Sequence, residues 1–524
     1  MRLSVIFLAR SLLLACLAIT TQAALSEARL AARAGDRSVV LHWGFAGEKP
    51  AHHLYKSGSA DGPFKRVAMT NADPHFADFE VENGKAYFYE LRPIASGSIA
   101  SSARASVTPQ SFSSDDAFLD YVQKAAFDFF WFEANPANGL VRDRNTAASA
   151  SNIAAVGFGL TGIGIGIDRG WITRAEGRGR VLTTLRTFWN GPQGAVKTGA
   201  IGHRGWFYHF LDMGSATRTW NCELSTIDTG LFLAGALYAR EYFNGDDPQE
   251  RQIRELAQAI FNRVDWAWMV DETPLLRHGW TPESGILRSR WEGYNEAMIL
   301  YLLAFGLSDA VPEKCWEKWT SSSQWQTHYG QSYVNFPPLF GHQYSHCWVD
   351  FRKRGDAYMR GRGLDYFENS RRATFAQRAY CAANPGNFAG YSGDVWGITA
   401  CDGPGMTIRG LAGYSARGAP PAERDDGTLA PTAVGGSLPF APEICLPTLR
   451  HIYDRYRTEI WTPYGFRDAF NLQAKWWGPD VLGIDQGAIL LMIENYRSEG
   501  VWKVFMRSPE IQRGLKRAGF QPMP

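Results

Sequence analysis

The chain lacks several features that would place it in a common class. Beyond its first 24 residues it has no apolar run long enough to span a bilayer, so no membrane span is expected. Its 54 basic and 52 acidic residues nearly cancel, to a net charge of +2, which makes nucleic acid and anionic membranes unexpected partners. No C-x-x-C pair is present, which argues against a zinc ribbon or a thioredoxin-like motif. No repeat period appears, which argues against a solenoid.

Aromatic residues are abundant instead. The chain has 19 Trp, 21 Tyr and 31 Phe among 524 residues. Most of these rings are expected in the core, but aromatic faces also stack on the apolar faces of sugar rings, so a polysaccharide or oligosaccharide is a possible substrate. The length predicts two or three folding units.

The first residues resemble a signal peptide. Arg2 and Arg10 precede the run LLLACLAITTQAAL, with small residues at Ala23 and Ala24 where a signal peptidase could cut. We therefore predict a signal peptide over residues 1–24 and a periplasmic or secreted protein. Lipoprotein anchoring through Cys16 is the alternative. The six remaining cysteines could form disulfides in an exported protein, but their pairing cannot be read from the sequence.

Residues 25–109 show a β pattern. Short runs with partial alternation are separated by turn clusters, namely SVVLHW at 38–43, HHLYK at 52–56 and KAYFYELRPI at 85–94. The pattern predicts a small all-β sandwich and resembles a fibronectin type III domain, with Trp43 as the buried tryptophan and Tyr87 at the tyrosine corner. A Ser-rich linker is predicted over 110–116.

Residues 117–524 show a helical pattern. Amphipathic segments alternate with almost wholly apolar ones, which indicates outer and inner helices paired as hairpins. A four-helix bundle would need far less chain. We predict an all-α (α/α)6 barrel, with the Gly- and Pro-rich stretch at 401–442 as a loop over its mouth.

Three of the apolar segments begin with an acid. Asp228 opens STIDTGLFLAGAL, Glu296 opens GYNEAMILYLLAF, and Asp485 opens GIDQGAILLMI. Each acid could simply cap its helix, because carboxylates accept the free backbone N–H groups there. Three acids on buried helices favour a different interpretation, in which the helix ends converge on a polar cavity.

An ordered set of motifs resembles the bacterial glucoamylase-like domain family, which includes endo-β-1,2-glucanases. The motifs are SNIAAVGFGL, CELSTIDTGLFLAGAL, WEGYNEAMILYLLAFG, PLFGHQYSHCWVDFRKRGD and GIDQGAILLMIENYR. The resemblance covers most of 116–524. It implies an (α/α)6 barrel and hydrolysis of β-glucosidic bonds, with β-1,2-glucan as the best-established substrate class.

Hydrolysis of a glycosidic bond needs one carboxylic acid and one carboxylate. We predict Glu296 as the acid, with Glu292 as its rival. If this segment is helical, the two share a face and repulsion raises one pKa. We predict Asp485 as the base, kept ionised by the helix N-terminus, with Asp480 as its rival.

A second group of residues is predicted to bind substrate without reacting. It comprises Asp228, Glu223, His342, His346, Trp476, Trp477, Gln486 and Trp280. His342, His346 and Asp350 have a helical spacing that could mimic a metal site, but three ligands without a fourth make hydrogen bonding to sugar hydroxyls the preferred interpretation. We predict no metal and no cofactor.

Two other classes remain open at this point. A polysaccharide lyase uses basic or tyrosine catalysts on an acidic substrate, and a glycan-binding protein would use the same barrel without turnover. The glycines of GLTGIGIGID, at 159–168, resemble a dinucleotide fingerprint but follow no strand, so close helix packing explains them better. Linkage, endo or exo action, stereochemistry, transglycosylation and oligomeric state are not determined by the sequence.

Overall fold

The computed structural model describes residues 28–45, 51–70, 74–94, 103–419 and 424–524. The chain divides into two compact units, Met1–Gln110 and Ser111–Pro524. The predicted signal peptide and Cys16 lie outside the described residues. Within the described ranges, none of the helices has the length and apolarity that crossing a membrane would require.

The described residues of the first unit form two antiparallel sheets. One has the order β1-β2-β5 and the other β4-β3-β6-β7. Their strands are β1 (Ala28–Gly35), β2 (Ser38–Phe45), β3 (His52–Ser57), β4 (Lys65–Thr70), β5 (His75–Asp78), β6 (Tyr87–Pro93) and β7 (Ala103–Val107). The first unit is therefore β-rich, as its alternating pattern predicts.

The core of the first unit draws on both sheets. Trp43 from β2 packs in one cluster with Leu54 from β3 and Leu91 from β6. The Tyr87 hydroxyl accepts a hydrogen bond of 3.0 Å from the backbone N–H of Glu82. A tyrosine that bonds backbone a few residues upstream is the contact of a tyrosine corner.

The second unit is mainly helical. Its helices are α1 (Asp115–Phe132), α2 (Ile153–Asp168), α3 (Arg174–Asn190), α4 (Thr226–Tyr242), α5 (Pro248–Arg263), α6 (Met298–Leu307), α7 (Lys314–Ser321), α8 (Tyr344–Trp348), α9 (Ala357–Arg360), α10 (Tyr366–Ala383), α11 (Pro431–Gly435), α12 (Pro442–Ile460), α13 (Gly483–Ser498), α14 (Gly500–Phe505) and α15 (Pro509–Arg517). Helix α1 begins inside the predicted linker because Ser114 caps it, accepting from the Ala117 N–H at 3.1 Å.

Short antiparallel strands connect these helices. They are β8 (Ser151–Asn152), β9 (Gly202–His203), β10 (Trp206–Phe207), β11 (Phe210–Leu211), β12 (Leu224–Ser225), β13 (Gly279–Thr281), β14 (Gly285–Ile286), β15 (Gln324–His328), β16 (Gln331–Asn335), β17 (Arg354–Gly355), β18 (Ala400–Cys401), β19 (Ser415–Ala416), β20 (Thr428–Leu429), β21 (Trp461–Thr462), β22 (Gly465–Phe466), β23 (Phe470–Asn471), β24 (Trp476–Trp477) and β25 (Gln521–Pro522). Three short 3₁₀ turns cover Ala267–Met269, Leu339–His342 and Pro404–Met406.

The helices fall into two populations that alternate along the chain. Helix α2 is buried from Ile153 to Gly166, and α4, α6 and α13 are nearly as enclosed. Helix α5 instead buries one face, through residues such as Ile253, Leu256 and Ile260. Helix α2 contacts both α4 and α13, and α4 contacts α6. The enclosed helices therefore lie side by side, with amphipathic helices between them in sequence.

Small residues allow α2 and α4 to approach closely. A Cβ atom on Gly157 would lie 2.2 Å from the Leu231 carbonyl oxygen, and one on Gly235 would lie 2.1 Å from the Gly157 carbonyl oxygen. Further along α2, a Cβ on Gly164 would meet the Tyr238 ring. The prediction that the glycine pattern serves helix packing is confirmed.

Six cysteines lie in the described part of the chain, and all six are free and buried. They are Cys222, Cys315, Cys347, Cys381, Cys401 and Cys445. The core of the second unit thus forms without a disulfide among these residues.

Candidate active site

A cavity of about 210 Å³ opens at one end of the enclosed helices. The three acids Asp228, Glu296 and Asp485 all line it. The other lining residues are Asn152, Ala154, His209, Ile227, Leu231, Phe340, Tyr344, Thr399, Ala400, Cys401, Tyr414, Thr432, Leu482 and Ile484. The structure thus brings together the acids that lead the three apolar segments.

These acids do not act as helix caps. Ser225 caps α4, with its Oγ accepting from the Asp228 N–H at 3.2 Å and donating to Asp228 Oδ2 at 2.5 Å. Asp485 lies in the first turn of α13, and Glu296 lies two residues before α6; neither helix has a side-chain cap. The capping interpretation is therefore wrong for all three, and their carboxyl groups are available to the cavity.

Glu296 is held in an environment that favours its neutral form. Its Oε2 atom is buried and receives no hydrogen bond from the described residues. Burial, with a contribution from the charge of Asp228, raises the pKa of Glu296 to about 7. A carboxyl group with this pKa is protonated in a large fraction of molecules near neutral pH, as a general acid requires.

Asp485 forms a carboxyl pair with Asp468. Both side chains are buried, and the charge of Asp468 acts on the Asp485 carboxyl group. Two neighbouring buried carboxylates repel each other, so a proton on one of them is favoured. Burial and the charge of Asp402 raise the pKa of Asp468 to about 7, while burial and the charge of Asp468 raise the pKa of Asp485 well above its ordinary value. At neutral pH the pair therefore shares a proton.

This pair corrects one prediction. We expected the N-terminus of α13 to keep Asp485 ionised. A helix terminus stabilises a charge by about 0.3–1 kcal/mol at an exposed site. Burial next to a second carboxyl group outweighs that effect, so the pKa of Asp485 is raised.

Arg144 forms ion pairs with three of the surrounding acids. Its Nη1 donates to Asp402 Oδ2 and to Asp480 Oδ2, each at 2.9 Å. Its Nε donates to Asp143 Oδ2 at 3.3 Å. Asp402 in turn donates its backbone N–H to Asp468 Oδ2 at 2.8 Å. Asp480, the rival base, is thus an ion-pair partner of Arg144 and does not line the cavity.

His209 lies between two of the predicted binding residues. Its Nδ1 is 3.0 Å from Glu223 Oε1 and its Nε2 is 3.6 Å from Asp228 Oδ1. Burial opposes its protonation, but the two carboxylates raise the pKa of His209 to about 9. One carboxylate hydrogen-bonded at 3.0 Å and a second one 3.6 Å away favour the doubly protonated, positively charged imidazole.

The same three side chains are close enough to hold a metal ion. Within the described ranges they form the one such group of three, with ligand atoms within 4.8 Å of one another. A protonated imidazole has no lone pair to give to a metal. In this structure the three side chains form a salt-bridged trio.

Glu292 does not share a helical face with Glu296. The segment is a turn, since Gly293 has a φ of +71° and α6 begins only at Met298. Glu292 is exposed and is absent from the cavity lining. The assumed i, i+4 repulsion is therefore wrong, and burial alone accounts for most of the raised pKa of Glu296.

His342 and His346 lie in the core and do not line the cavity. A 3₁₀ turn ends at His342 and α8 begins at Tyr344, so the helical spacing with Asp350 is lost. The His346 Nε2 atom contacts Ser370 Oγ at 3.2 Å. Burial lowers the pKa of both histidines to about 3. Their predicted contact with substrate is corrected to a packing role.

The predicted aromatic and amide contacts near residue 480 also lie outside the cavity lining. Trp476 packs with Cys401 in a small core cluster, and Trp477 stacks on Phe470 with ring centroids 5.3 Å apart. The Gln486 side chain donates to the Phe466 carbonyl at 2.8 Å. Each has a structural partner that explains its position.

Trp280 lies in an aromatic cluster away from the cavity lining. Its ring centroid is 5.1 Å from that of His203 and 5.7 Å from that of Trp268. Its strand β13 pairs with β12, which carries the residues after Glu223. Trp280 therefore supports the strand behind the salt-bridged trio.

Sequence reasoning missed several residues of the site. These are His209, Asp143, Arg144, Asp402, Asp468 and Tyr414. They lie in loops and two-residue strands, where helical periodicity gives no signal. Usable signals were the charge cluster VRDRN at 141–145 and the charged pair among apolar residues in GFRDAF at 465–470.

Buried carboxyl groups with raised pKa values that share one cavity can supply the general acid and the general base that cleave a glycosidic bond. The helical unit is that of a glycoside hydrolase.

Comparison with known proteins specifies the family. The family described as putative glucoamylase matches residues 288–509. An exo β-1,2-glucooligosaccharide sophorohydrolase acting at the non-reducing end, from Parabacteroides distasonis, is 32% identical over 93% of this chain and 70% of its own length. The chain belongs to this glucoamylase-like family.

Solved structures of similar proteins superpose on most of this chain. A β-1,2-glucanase from Parabacteroides distasonis superposes with a TM-score of 0.83 at 28% identity, over 95% of this chain and 73% of that one. An endo-β-1,2-glucanase from Chitinophaga pinensis, solved with sophorotriose and glucose, gives a TM-score of 0.70 at 29% identity, over 78% of this chain and 99% of that one. The helix-rich unit with a β-rich region before it is shared with the Parabacteroides structure.

Proposed function

We propose that this protein is an exported hydrolase of β-1,2-glucan or its oligosaccharides. The observation that carries the proposal is that Glu296 and Asp485 line one cavity, each with a pKa raised by burial. The named activities of the relatives supply the linkage. The cavity lining includes no Lys or Arg among the described residues, which disfavours a lyase that must bind uronates.

In the proposed reaction, Glu296 is the acid. Its proton passes to the oxygen of the leaving sugar as the bond from that oxygen to the anomeric carbon breaks. A water oxygen adds to the anomeric carbon. The raised pKa of Glu296 keeps the proton available for this step near neutral pH.

The Asp468–Asp485 pair is the proposed base. Asp485 lines the cavity and takes a proton from the attacking water, while the proton it shares passes to Asp468. The pair accepts one proton in total, and Asp468, whose pKa is about 7, holds it. This relay lets Asp485 act as a base although its own pKa is raised.

We infer that the helical unit is an (α/α)6 barrel. Six inner helices, α2, α4, α6, α8, α11 and α13, alternate in sequence with the outer helices α1, α3, α5, α7, α10 and α12. Contacts support a closed ring of inner helices, from α2 to α4, α6 and α8 and from α11 to α13 and back to α2. Gln343, just before α8, donates to the Ala433 carbonyl in α11 at 2.8 Å.

We further propose that the β-rich unit is a fibronectin type III-like module. The buried Trp43 and the bond from Glu82 to Tyr87 support it. A signal peptide over residues 1–24 would direct the protein to the periplasm or outside the cell, with a lipid anchor on Cys16 as the alternative.

One product analysis tests the activity. The purified protein is incubated with β-1,2-glucan, laminarin, cellulose oligomers, starch and xanthan, and the products are separated with their anomeric configuration followed over time. Shortened β-1,2-linked products are expected. Glucose from starch alone, ultraviolet-absorbing unsaturated products, or binding without any product would each overturn the proposal.

A further inference from the structure

Trp220 is an unusually exposed tryptophan close to the cavity. Its side chain is 61% exposed, although tryptophan is normally well buried. Its φ is +56°, and that of Asn221 is +51°, so two consecutive residues occupy the left-handed region. Such backbone is unfavourable for residues with a Cβ and persists where the surrounding structure imposes it.

A buried arginine imposes this turn. Arg218 donates from Nη2 to the Asn221 carbonyl at 2.8 Å and from Nε to the Cys222 carbonyl at 2.7 Å. The same guanidinium forms a bidentate salt bridge with Glu283, from Nη1 to Oε1 at 2.9 Å and from Nη2 to Oε2 at 3.0 Å. The backbone turn that carries Trp220 is therefore fixed, and it places the ring at the surface.

Ring contacts lead from Trp220 to the cavity. The Trp220 and Phe210 ring centroids are 5.1 Å apart. Phe210 stacks on His209 at 3.8 Å with an interplanar angle of 18°, and His209 lines the cavity. The exposed indole is thus separated from the cavity lining by a single ring.

We propose that Trp220 is a platform for a glucosyl unit of the substrate that extends beyond the cavity. Sugar rings have apolar faces, and a rigid exposed indole offers a large apolar surface at little entropic cost. A longer glucan would gain this contact and the shortest one would not. The inference rests on the proposed function and makes Trp220 a determinant of chain-length preference.

Kinetics against chain length test the proposal. KM and kcat are measured for the wild type and Trp220→Ala on β-1,2-linked oligosaccharides of increasing length. For the longer substrates we expect KM to rise about tenfold with kcat unchanged, because the lost contact is made in both ground and transition states. The shortest hydrolysed substrate is expected to show no change.

Two further variants act as controls. Trp220→Phe keeps an aromatic face and should recover most of the affinity. Trp189→Ala removes a tryptophan of α3 that is 37% exposed and is absent from the cavity lining, and it should match the wild type at every length. The thermal midpoint of Trp220→Ala should stay near that of the wild type because the ring buries little surface.

The outcomes distinguish a failure of the proposed function from a failure of the Trp220 platform. A wild-type protein that cleaves no β-1,2-linked substrate overturns the proposed function. A wild-type protein that does cleave them, with the same KM in Trp220→Ala at every length, overturns the platform. An equal rise in KM for the shortest and longest substrates also overturns it, because it would indicate disruption of the cavity.

Discussion

Replacing Glu296 with glutamine tests the central residue of the site. The change keeps the side-chain shape and removes the proton. Burial raises the pKa of Glu296 from 4.5 to about 7. A difference of this size corresponds to roughly 3 kcal/mol of folding free energy at high pH, which is an upper limit because the Glu296 residue is only partly enclosed.

The sign of the stability effect follows from the direction of the pKa. A carboxyl group with a raised pKa in the folded state loses its proton first in the unfolded chain. The wild type should therefore lose stability as pH rises from about 4.5 to about 7, the interval between the unfolded and folded pKa of Glu296. The glutamine variant should escape this loss. It should match the wild type near pH 4 and melt several degrees higher near pH 8.

Activity should move in the opposite direction. Loss of a general acid typically costs about 10²–10⁴ in rate, so kcat on a β-1,2-linked oligosaccharide should fall by that factor. Glu292→Gln is the matched control, since Glu292 is exposed and outside the cavity lining, and it should leave kcat unchanged. Wild-type turnover in Glu296→Gln would refute the catalytic role. An identical pH dependence of the melting temperature in both proteins would refute the argument from burial.

Three other predictions address the surrounding network. Asp468→Asn removes the charge that raises the pKa of Asp485, so the pH–rate profile should shift to lower pH; an unmoved profile would speak against the shared proton. Arg144→Met leaves its acidic partners uncompensated and should lower the free energy of unfolding in urea by roughly 3–5 kcal/mol. An unchanged unfolding midpoint would contradict the role of Arg144 as the shared ion-pair partner of these acids. Exhaustive chelation should leave activity unchanged because His209 is protonated, and loss of activity restored by a divalent cation would show that its ring binds metal.

Local patterning predicted the parts of the fold that depend on nearby residues. The apolar segments are the enclosed helices α2, α4, α6 and α13, and the glycines of α2 fit its neighbours. Asp228, Glu296 and Asp485 line one cavity. Local patterning predicted this too, because an acid at the start of an apolar, buried helix needs a polar space to face. These predictions needed only the composition of each segment.

The errors arose where contacts join distant parts of the chain. Arg144 meets Asp480 across 336 residues, and no spacing rule anticipates that pair. The helical face assigned to Glu292 failed because one left-handed glycine turns the backbone before α6. The ionisation of Asp485 was misjudged because its neighbour Asp468 comes from another segment.

The contact between the two ends of the helical unit also bears on how the protein is made. Helix α13 packs against α1 and α2, so a helix late in this unit completes a wall begun by two helices early in it. Until α13 is in place, the apolar faces of α1 and α2 that it covers remain exposed. Protection of this apolar surface during synthesis should therefore be needed until α13 has been made, and a truncation that removes α13 should prevent folding of the whole helical unit.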